Sequence, residues 1–387
     1  MSSVEEFRAE IRDWLQAHLS GEFAPLKGRG GPGREHEAFA ERLAWERQLA
    51  AHGWTCVGWP KEYGGRGASI EEQIAFHEEY ALADAPARVN HIGEQLLGPT
   101  LIAYGTEEQK ARFLPPIRAV EELWCQGYSE PGAGSDLAAV RTRATRDGAA
   151  WVVDGQKIWT SLAHESQWCF VVARTELGVP PAERGGGSKR HAGLSYLLVP
   201  MDQPGVEVRP IVQLTGTSEF NEVFFDGART DAANVVGEPG DGWRIAMATL
   251  GYERGVSTLG QQVGFRRELE GLIDLARRNG ALADPLVRDR LVRAWTGLQA
   301  MRANALRGTE PSMAKLYWSH WHRGLGELAM DICGAPSTVV AAEPYELDEW
   351  QRLFLFSRAD TIYAGSSEIQ RNIIAERVLG LPKEPRP

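Results

Sequence analysis

Residues 124–136 contain the side chains with the clearest capacity for binding chemistry. A strand-like start is followed by Tyr128 and Ser129, and then by a glycine-rich loop that ends at Ser135 and Asp136. Such a loop brings its backbone close to a polar planar ligand and hydrogen-bonds the ligand's edges. An ordinary turn with a helix cap is the alternative interpretation of these residues alone.

Two other patterns look like binding motifs but lack the required context. Residues 28–33 match the spacing of a dinucleotide-binding glycine loop, but no strand precedes them and Pro32 has no amide to offer a phosphate. We interpret this segment as a loop. His320 and His322 stand two residues apart on a predicted helix and point to different sides, so we expect a hydrogen-bonded or exposed pair and no metal site.

Composition indicates a folded chain of two or three domains. The chain has 387 residues, 43 % of apolar types, and a net charge of −10 without a Lys/Arg-rich block, which argues against a nucleic-acid partner. No apolar run approaches the ~18 residues of a membrane span, and the N-terminus lacks secretory-signal features. We therefore expect a cytoplasmic protein. Its four widely separated cysteines predict buried free thiols.

The elements that must position these residues follow in three blocks. Helical periodicity extends to about residue 120, with capping boxes at Ser69 and Thr106. From about Leu123, short strand-like runs follow, with a hairpin predicted at Asp154 and Gly155 and a surface loop at 175–192. Helical patterns then return at 243–278, 285–307, 311–332 and 367–379.

Four stretches, in order, resemble the acyl-CoA dehydrogenase family: residues 124–136, 155–161, 220–242 and 361–371. Residues 59–65 and 104–109 add matches in the N-terminal helices. The resemblance spans nearly the whole chain, and the full set in this order is highly specific. It implies an α+β fold with an N-terminal α-helical domain (1–122), a central β domain (123–238) and a C-terminal four-helix bundle (239–387).

The resemblance also implies that FAD and an acyl-CoA thioester bind between these domains. By motif position, the residues expected against the isoalloxazine of FAD are Tyr128, Ser129, Trp159, Thr160 and Ser161. Ser135 is expected near the pyrophosphate or CoA. Ser366 and Glu368 are expected near the FAD phosphates, where a helix beginning at Ser366 or Ser367 would offer free amides.

The family reaction removes a proton from the thioester α-carbon and a hydride from the β-carbon, so it needs a carboxylate base. Ala364 occupies the position of the usual glutamate. A subset of the family has its glutamate just before an Arg at the first bundle helix, which makes Glu253 the candidate base and Arg254 an orienting or CoA-binding residue. Burial would raise the pKa of such a carboxyl, which suits it to a weakly acidic proton. A solvated glutamate at a helix start is the alternative.

Replacement by alanine leaves the backbone amide of residue 364 intact. The resemblance therefore implies that Ala364 and Gly365 still form the substrate-binding segment and polarise the thioester carbonyl as an oxyanion hole does.

Departures from the family pattern concern assembly and substrate. Residues 277–282 replace an Arg-x-x-Phe-Gly stretch that reaches FAD across a subunit interface, and residues 331–335 lack the usual Gly-Gly. A homo- or hetero-oligomer follows as an expectation, with electron-transfer flavoprotein as acceptor. With these departures, the sequence resembles actinobacterial family members that take part in steroid and cholesterol breakdown. The resemblance implies desaturation of a propanoyl-CoA side chain on a C/D-ring remnant. The alternatives are a catalytically silent subunit of a heteromer and a same-fold flavin oxidase or monooxygenase.

Overall fold

The computed structural model describes residues 3–175, 191–252, 257–308, 310–340 and 346–383. In these residues the helices are α1 (Ser3–His18), α2 (Phe39–Ala51), α3 (Ile70–Leu82), α4 (Gly98–Tyr104), α5 (Glu107–Arg118), α6 (Gly242–Tyr252), α7 (Ser257–Arg278), α8 (Pro285–Leu306), α9 (Pro311–Cys333), α10 (Glu349–Phe356) and α11 (Ser367–Ile373). The strands are β1 (Trp124–Gly127), β2 (Arg143–Asp147), β3 (Ala150–Ser161), β4 (Trp168–Arg174), β5 (Leu194–Pro200), β6 (Val206–Ile211), β7 (Phe220–Asp231) and β8 (Val235–Val236).

Contacts divide the chain into two units. The helical unit comprises Met1–Ala17, Ile74–Ala85 and Arg254–Pro387, and the sheet unit comprises His18–Gln73 and Pro86–Glu253. The α+β class and the order helical, β, helical agree with the sequence prediction. The domain boundaries at residues 122 and 238 stay a prediction.

The sheet unit is built on a mixed sheet with strand order β6-β7-β3-β2-β4-β5-β8, and β1 pairs with β4 in parallel. Its strands carry the alternating or continuous apolar runs that a sheet covered on one or both faces requires. Val153, Phe170 and Tyr196 are completely buried within its cores.

The helical unit packs the long helices α7, α8 and α9 around a second core that includes Leu269, Leu298 and Leu325. Apolar residues recur at helical spacing on the inner faces, which stabilises the bundle by burial.

Helix α10 was not predicted from the sequence. It begins with a capping box between Asp348 and Gln351. Across the described residues, no helix is both long enough and apolar enough to cross a bilayer.

The local signals were mostly correct. The capping box at Thr106 is formed in full, and at Ser69 the backbone amide donates to Glu72 at 2.8 Å while the hydroxyl accepts from Glu72 N at 3.3 Å. Residues 28–33 form a loop, as expected, and no strand precedes it in residues 3–27. Residues 176–190 of the predicted surface loop lie outside the described residues. The cysteines are free thiols, buried except for the half-buried Cys333.

The hairpin predicted at Asp154 and Gly155 is wrong. Strand β3 runs through both residues, and the β2–β3 turn lies instead at Gly148, which has a φ of +57°. A β-carbon at position 155 would lie 2.7 Å from the Cα of Thr142, so the neighbouring backbone explains this glycine. The Asp-Gly pair therefore marks an irregularity in a long strand, where pairing with β7 shifts register after Val153.

A buried ion pair ties the sheet to the loop that follows β1. Lys157 on β3 is fully buried, and its Nζ donates to Glu130 Oε1 at 2.9 Å, to Tyr128 O at 3.0 Å and to Val172 O at 2.8 Å. Glu130 also accepts from the backbone amides of Arg141 and Thr142 at 2.6 and 2.8 Å. One cation thus holds the end of β1, the loop and β4 together.

Both partners of this pair are ionised. Burial lowers the pKa of the Lys157 ammonium, but three oxygens surround Nζ, and only a group with three N–H donors satisfies all of them. Burial would raise the pKa of Glu130; the Lys157 charge and hydrogen bonds from Lys157 and Thr142 outweigh it, so the pKa is lowered. The attraction between two full charges therefore fixes the loop.

We predict that Lys157→Met lowers the free energy of unfolding by about 3–5 kcal/mol, because it leaves the Glu130 carboxylate buried without its cation. Urea denaturation measures this change. Lys110→Met is the matched control, since Lys110 pairs with the exposed Glu107 and its loss should cost less than about 1 kcal/mol. Equal effects of the two substitutions would contradict the anchoring role.

Candidate functional site

A bulge near the end of β3 turns Trp159 outward. Pairing with β7 shifts register between Lys157 and Thr160, and Trp159 adopts a φ of +61°. Left-handed backbone is costly for a bulky residue, and surrounding contacts must impose it. The indole is 56 % exposed and meets Phe220 edge-on at 6.1 Å. The strand thus presents a large aromatic plane to the outside.

Thr160 carries a polar atom without a partner. Its side chain is fully buried, and Oγ1 makes no hydrogen bond within the described residues. The Thr160 carbonyl accepts from Asn221 Nδ2 at 3.1 Å, so the backbone itself is held. Ser161 is half-buried beside it and pairs with Phe220 of β7. Because buried hydroxyls are nearly always hydrogen-bonded, Thr160 Oγ1 has hydrogen-bonding capacity for a bound group at this position.

The end of β1 lies beside this bulge. Ser129 O accepts from Ile158 N at 2.9 Å, which joins the two segments directly. Tyr128 is buried, with its ring edge-on to Phe170 at 5.8 Å and to Tyr196 at 6.2 Å. The structure thus brings Tyr128 and Ser129 to the same region of the sheet as Trp159 and its two successors.

The loop after Ser129 is hydrogen-bonded at its base and exposed at its tip. Glu130 and Ala133 exchange backbone hydrogen bonds of 3.0 Å in both directions. Ser135 is exposed, and a β-carbon built at Gly132 or Gly134 would meet no atom of the described residues within 4 Å. Neither glycine is required by neighbouring protein atoms, so the loop has room for a ligand to approach its backbone closely.

The helical unit carries a second set of expected site residues. Ala364 and Gly365 both have positive φ, +51° and +89°, and Gln370 Nε2 donates to their carbonyls at 3.1 and 3.4 Å. Within the described ranges, the backbone N–H of Ala364 forms no hydrogen bond. That amide is available to an external oxygen, and its role in substrate binding stays a prediction.

Helix α11 begins where the sequence predicted. Ser366 is its N-cap and accepts from Ile369 N at 3.4 Å, and Ser367 is the first helical residue. The backbone amide and the Ser366 hydroxyl lower the pKa of the exposed Glu368. A carboxylate repels a phosphate, so electrostatics favour Ser366 over Glu368 for a phosphate contact and suit Glu368 to a hydroxyl group.

The expected site residues thus fall into two groups, one in each unit. Glu253 and Arg254 lie outside the described residues, so their roles stay predictions. The described chain does place Tyr252 at the end of α6, directly before Glu253.

Sequence reasoning missed the groups that hold these segments. The functions of Glu130 and Lys157 were not predicted, although a lysine among the apolar residues of a strand is a signal of a buried ion pair. Asp360 was also missed. His322 was expected to be hydrogen-bonded or exposed, and it is buried between Asp360 and Glu268, whereas His320 contacts Ser367 Oγ at 3.1 Å.

Comparison with known proteins identifies the family. Residues 2–121 match the acyl-CoA dehydrogenase N-terminal domain, residues 125–228 the middle domain and residues 240–379 the C-terminal domain. The chain is 66 % identical to acyl-CoA dehydrogenase IpdE1 of Mycobacterium tuberculosis, over 99 % of both sequences.

Solved structures agree with this assignment. The Tcur3481-Tcur3483 steroid ACAD is 31 % identical with a TM-score of 0.82, covering 99 % of each chain. The ChsE4-ChsE5 complex from Mycobacterium tuberculosis is 30 % identical with a TM-score of 0.80, covering 100 % of this chain and 99 % of its own. With matches along nearly its whole length and the three-part architecture described above, the chain belongs to the acyl-CoA dehydrogenase family.

Proposed function

We propose that this chain is an FAD-dependent acyl-CoA dehydrogenase that converts an acyl-CoA thioester to the enoyl-CoA. The observation that carries the proposal is the arrangement on the bulged end of β3, where an exposed indole stands beside a buried hydroxyl without a partner. A flat ring system with polar edges satisfies both groups at once, because it offers a face to Trp159 and hydrogen-bonding atoms to Thr160.

The residues present fit FAD. Tyr128, Ser129, Trp159, Thr160 and Ser161 would hold the isoalloxazine, and Ser135 the pyrophosphate or CoA. Ser366 and Glu368 would lie near the FAD phosphates, with Ser366 as the phosphate contact. The open space above Gly132 and Gly134 supports a close backbone approach of this kind. FAD, when bound, supplies the acceptor for the hydride that leaves the β-carbon.

We assign proton removal to Glu253. Its carboxylate takes the proton from the α-carbon while the β-carbon loses a hydride, so the single carbon–carbon bond becomes double and the carboxylate becomes a carboxylic acid. Two facts support the assignment: alanine stands at position 364, and Glu253 directly follows the last residue of α6. Arg254 orients the carboxylate or binds the CoA moiety.

Ala364 and Gly365 bind the substrate carbonyl. The unbonded N–H of Ala364 donates to the thioester oxygen, which stabilises the negative charge that develops there as the α-proton leaves. The positive φ values of both residues and the bonds from Gln370 to their carbonyls keep this segment in one conformation.

The substrate we favour is a steroid-derived acyl-CoA, a propanoyl-CoA side chain on a C/D-ring remnant. The high identity to IpdE1 and the structural likeness to a steroid ACAD support this choice. Electron-transfer flavoprotein is the proposed acceptor, in the cytoplasm. Because the ChsE4-ChsE5 structure is a complex of two proteins, a hetero-oligomer is the assembly we favour over a homo-oligomer.

Glu253→Gln should slow anaerobic reduction of bound flavin by acyl-CoA about 10²–10⁴-fold, the usual contribution of a positioned general base. Stopped-flow bleaching of the purified holoenzyme measures this, with a bicyclic steroid-derived thioester expected to bleach wild type faster than straight-chain thioesters. Glu270→Gln is the matched control, because Glu270 is an exposed glutamate of α7.

Undiminished bleaching by the Glu253 variant would refute the assigned base, and a purified protein without flavin would favour the silent-subunit alternative. Rapid reoxidation by air would favour an oxidase.

Thr160→Val should weaken FAD binding about five- to tenfold without lowering the stability of the apoprotein, because the hydroxyl it removes has no hydrogen-bond partner in the part of the chain that the structure describes. Fluorescence titration and urea denaturation measure the two quantities. Thr230→Val is the matched control on the same sheet, since Thr230 Oγ1 donates to Leu198 O, so its loss should cost about 1 kcal/mol of stability and leave FAD affinity unchanged. The reverse pattern would contradict the cofactor position.

A further inference from the structure

A buried histidine of the helical unit has both ring nitrogens committed to carboxylates. His322 on α9 is 8 % exposed, with Nδ1 at 2.5 Å from Asp360 Oδ2 and Nε2 at 2.9 Å from Glu268 Oε2. The Phe265 ring covers it, with centroids 4.5 Å apart. Two carboxylate acceptors require two N–H donors, so the ring is an imidazolium cation.

The charge state follows from the surroundings. Burial lowers the pKa of His322, but hydrogen bonds to Asp360 and Glu268 and their negative charges outweigh that effect and raise it to about 10. A cation with no free nitrogen cannot accept a proton, so His322 is not a base in the proposed reaction. Its effect must pass through the groups that it holds.

Asp360 is the more buried of those two carboxylates and lies in the turn Ala359–Thr361. Its second oxygen, Oδ1, accepts from Tyr363 Oη at 2.6 Å, and its backbone carbonyl accepts from Lys315 Nζ. Lys315 and His322 stand seven residues apart, on the same face of α9. Helix α9 thus contacts both the backbone carbonyl and the side chain of Asp360.

The cluster contains two cations and two carboxylates. Lys315 donates to the backbone carbonyl of Asp360, and His322 pairs with the carboxylates of Asp360 and Glu268. Lys315 also lies over the Tyr363 ring, 5.4 Å from its centroid. The next residue is Ala364, whose φ of +51° is unfavourable for alanine and persists only where surrounding contacts impose it.

We propose that His322 is a positioning residue, which holds the turn at 359–361 through Asp360 and thereby fixes the Ala364 amide for the thioester oxygen. This inference rests on the proposed function for the role of that amide. Its structural part, that the His322 cation keeps residues 359–365 in place, does not need any activity to be measured.

Hydrogen–deuterium exchange tests the structural part directly. In His322→Gln, the amides of Ile362 and Tyr363, which both bond to Ala359 O, should exchange about tenfold faster, while the middle of α9 stays protected. Glu268→Gln keeps the hydrogen bond between His322 and Asp360, so it should increase the exchange rate of these amides less. This variant also tests the proposal if His322→Gln fails to fold. His320→Gln, two residues away with its ring on Ser367, should leave these amides unchanged. Wild-type exchange in both the His322 and Glu268 variants would overturn the proposal.

Kinetics separate this inference from the proposed function. With the holoenzyme, His322→Gln should lower the rate of flavin bleaching at saturating acyl-CoA about tenfold or more, with flavin content retained. If the wild-type flavin is not bleached by any acyl-CoA, the proposed function is contradicted, but the hydrogen–deuterium exchange test of the structural part remains valid. Wild-type bleaching with an unaffected His322 variant would overturn the positioning role alone.

The charge of His322 also predicts a pH dependence of stability. The folded pKa of about 10 exceeds the ordinary value of 6.5, so the stabilisation is fully present below pH 6.5 and is lost as the pH rises through about 10. The groups facing the ring are Glu268 from α7, and Asp360 from the turn with Tyr363 and Lys315 around it. The difference in Tm between wild type and His322→Gln should therefore shrink from pH 6.5 to 10. A difference that is constant over this range would contradict a charged His322.

Discussion

The ion pair of Lys157 and Glu130 is the interaction on which the sheet unit's candidate site depends. A buried ammonium is tolerated only where several acceptors replace its lost water, and here those acceptors come from the end of β1, the following loop and β4. The loop cannot shift without removing a partner from that charge. Ser129 and Trp159 are consequently held in a fixed relation, and the loop tip beyond Ala133 is free to receive a ligand.

The helical unit also contains a buried cation that is paired with carboxylates. His322 is buried like Lys157, and its partner Asp360 holds the turn that leads to Ala364. In both units, the segment next to the buried cation contains a non-glycine residue with positive φ, Trp159 in one and Ala364 in the other. Such backbone costs about 1–2 kcal/mol per residue. Strong electrostatic anchors next to these residues explain how that cost is met, and both residues belong to the proposed ligand contacts.

Features decided by short-range chemistry could be predicted from the sequence. The caps at Thr106 and Ser366 depend on residues three positions apart, and both were predicted as helix starts. The Asp154–Gly155 turn was predicted wrongly because the approach of Thr142, which explains the glycine, is a tertiary contact. The roles of Glu130 and Asp360 depend on partners 27 and 38 positions away, at Lys157 and His322, so no local pattern reveals them. The proposed ligand-contact residues could be named only because the family resemblance supplied their positions.

In the proposed reaction, Glu253 removes the α-proton while the Ala364 amide polarises the carbonyl. The most direct measurement is exchange of the α-hydrogen with D₂O, using holoenzyme and an acyl-CoA analogue from which no β-hydride can leave, because this isolates proton removal from oxidation. We predict rapid deuterium incorporation by wild type and almost none by Glu253→Gln. Incorporation at the wild-type rate by the variant would contradict the role of Glu253 as the base.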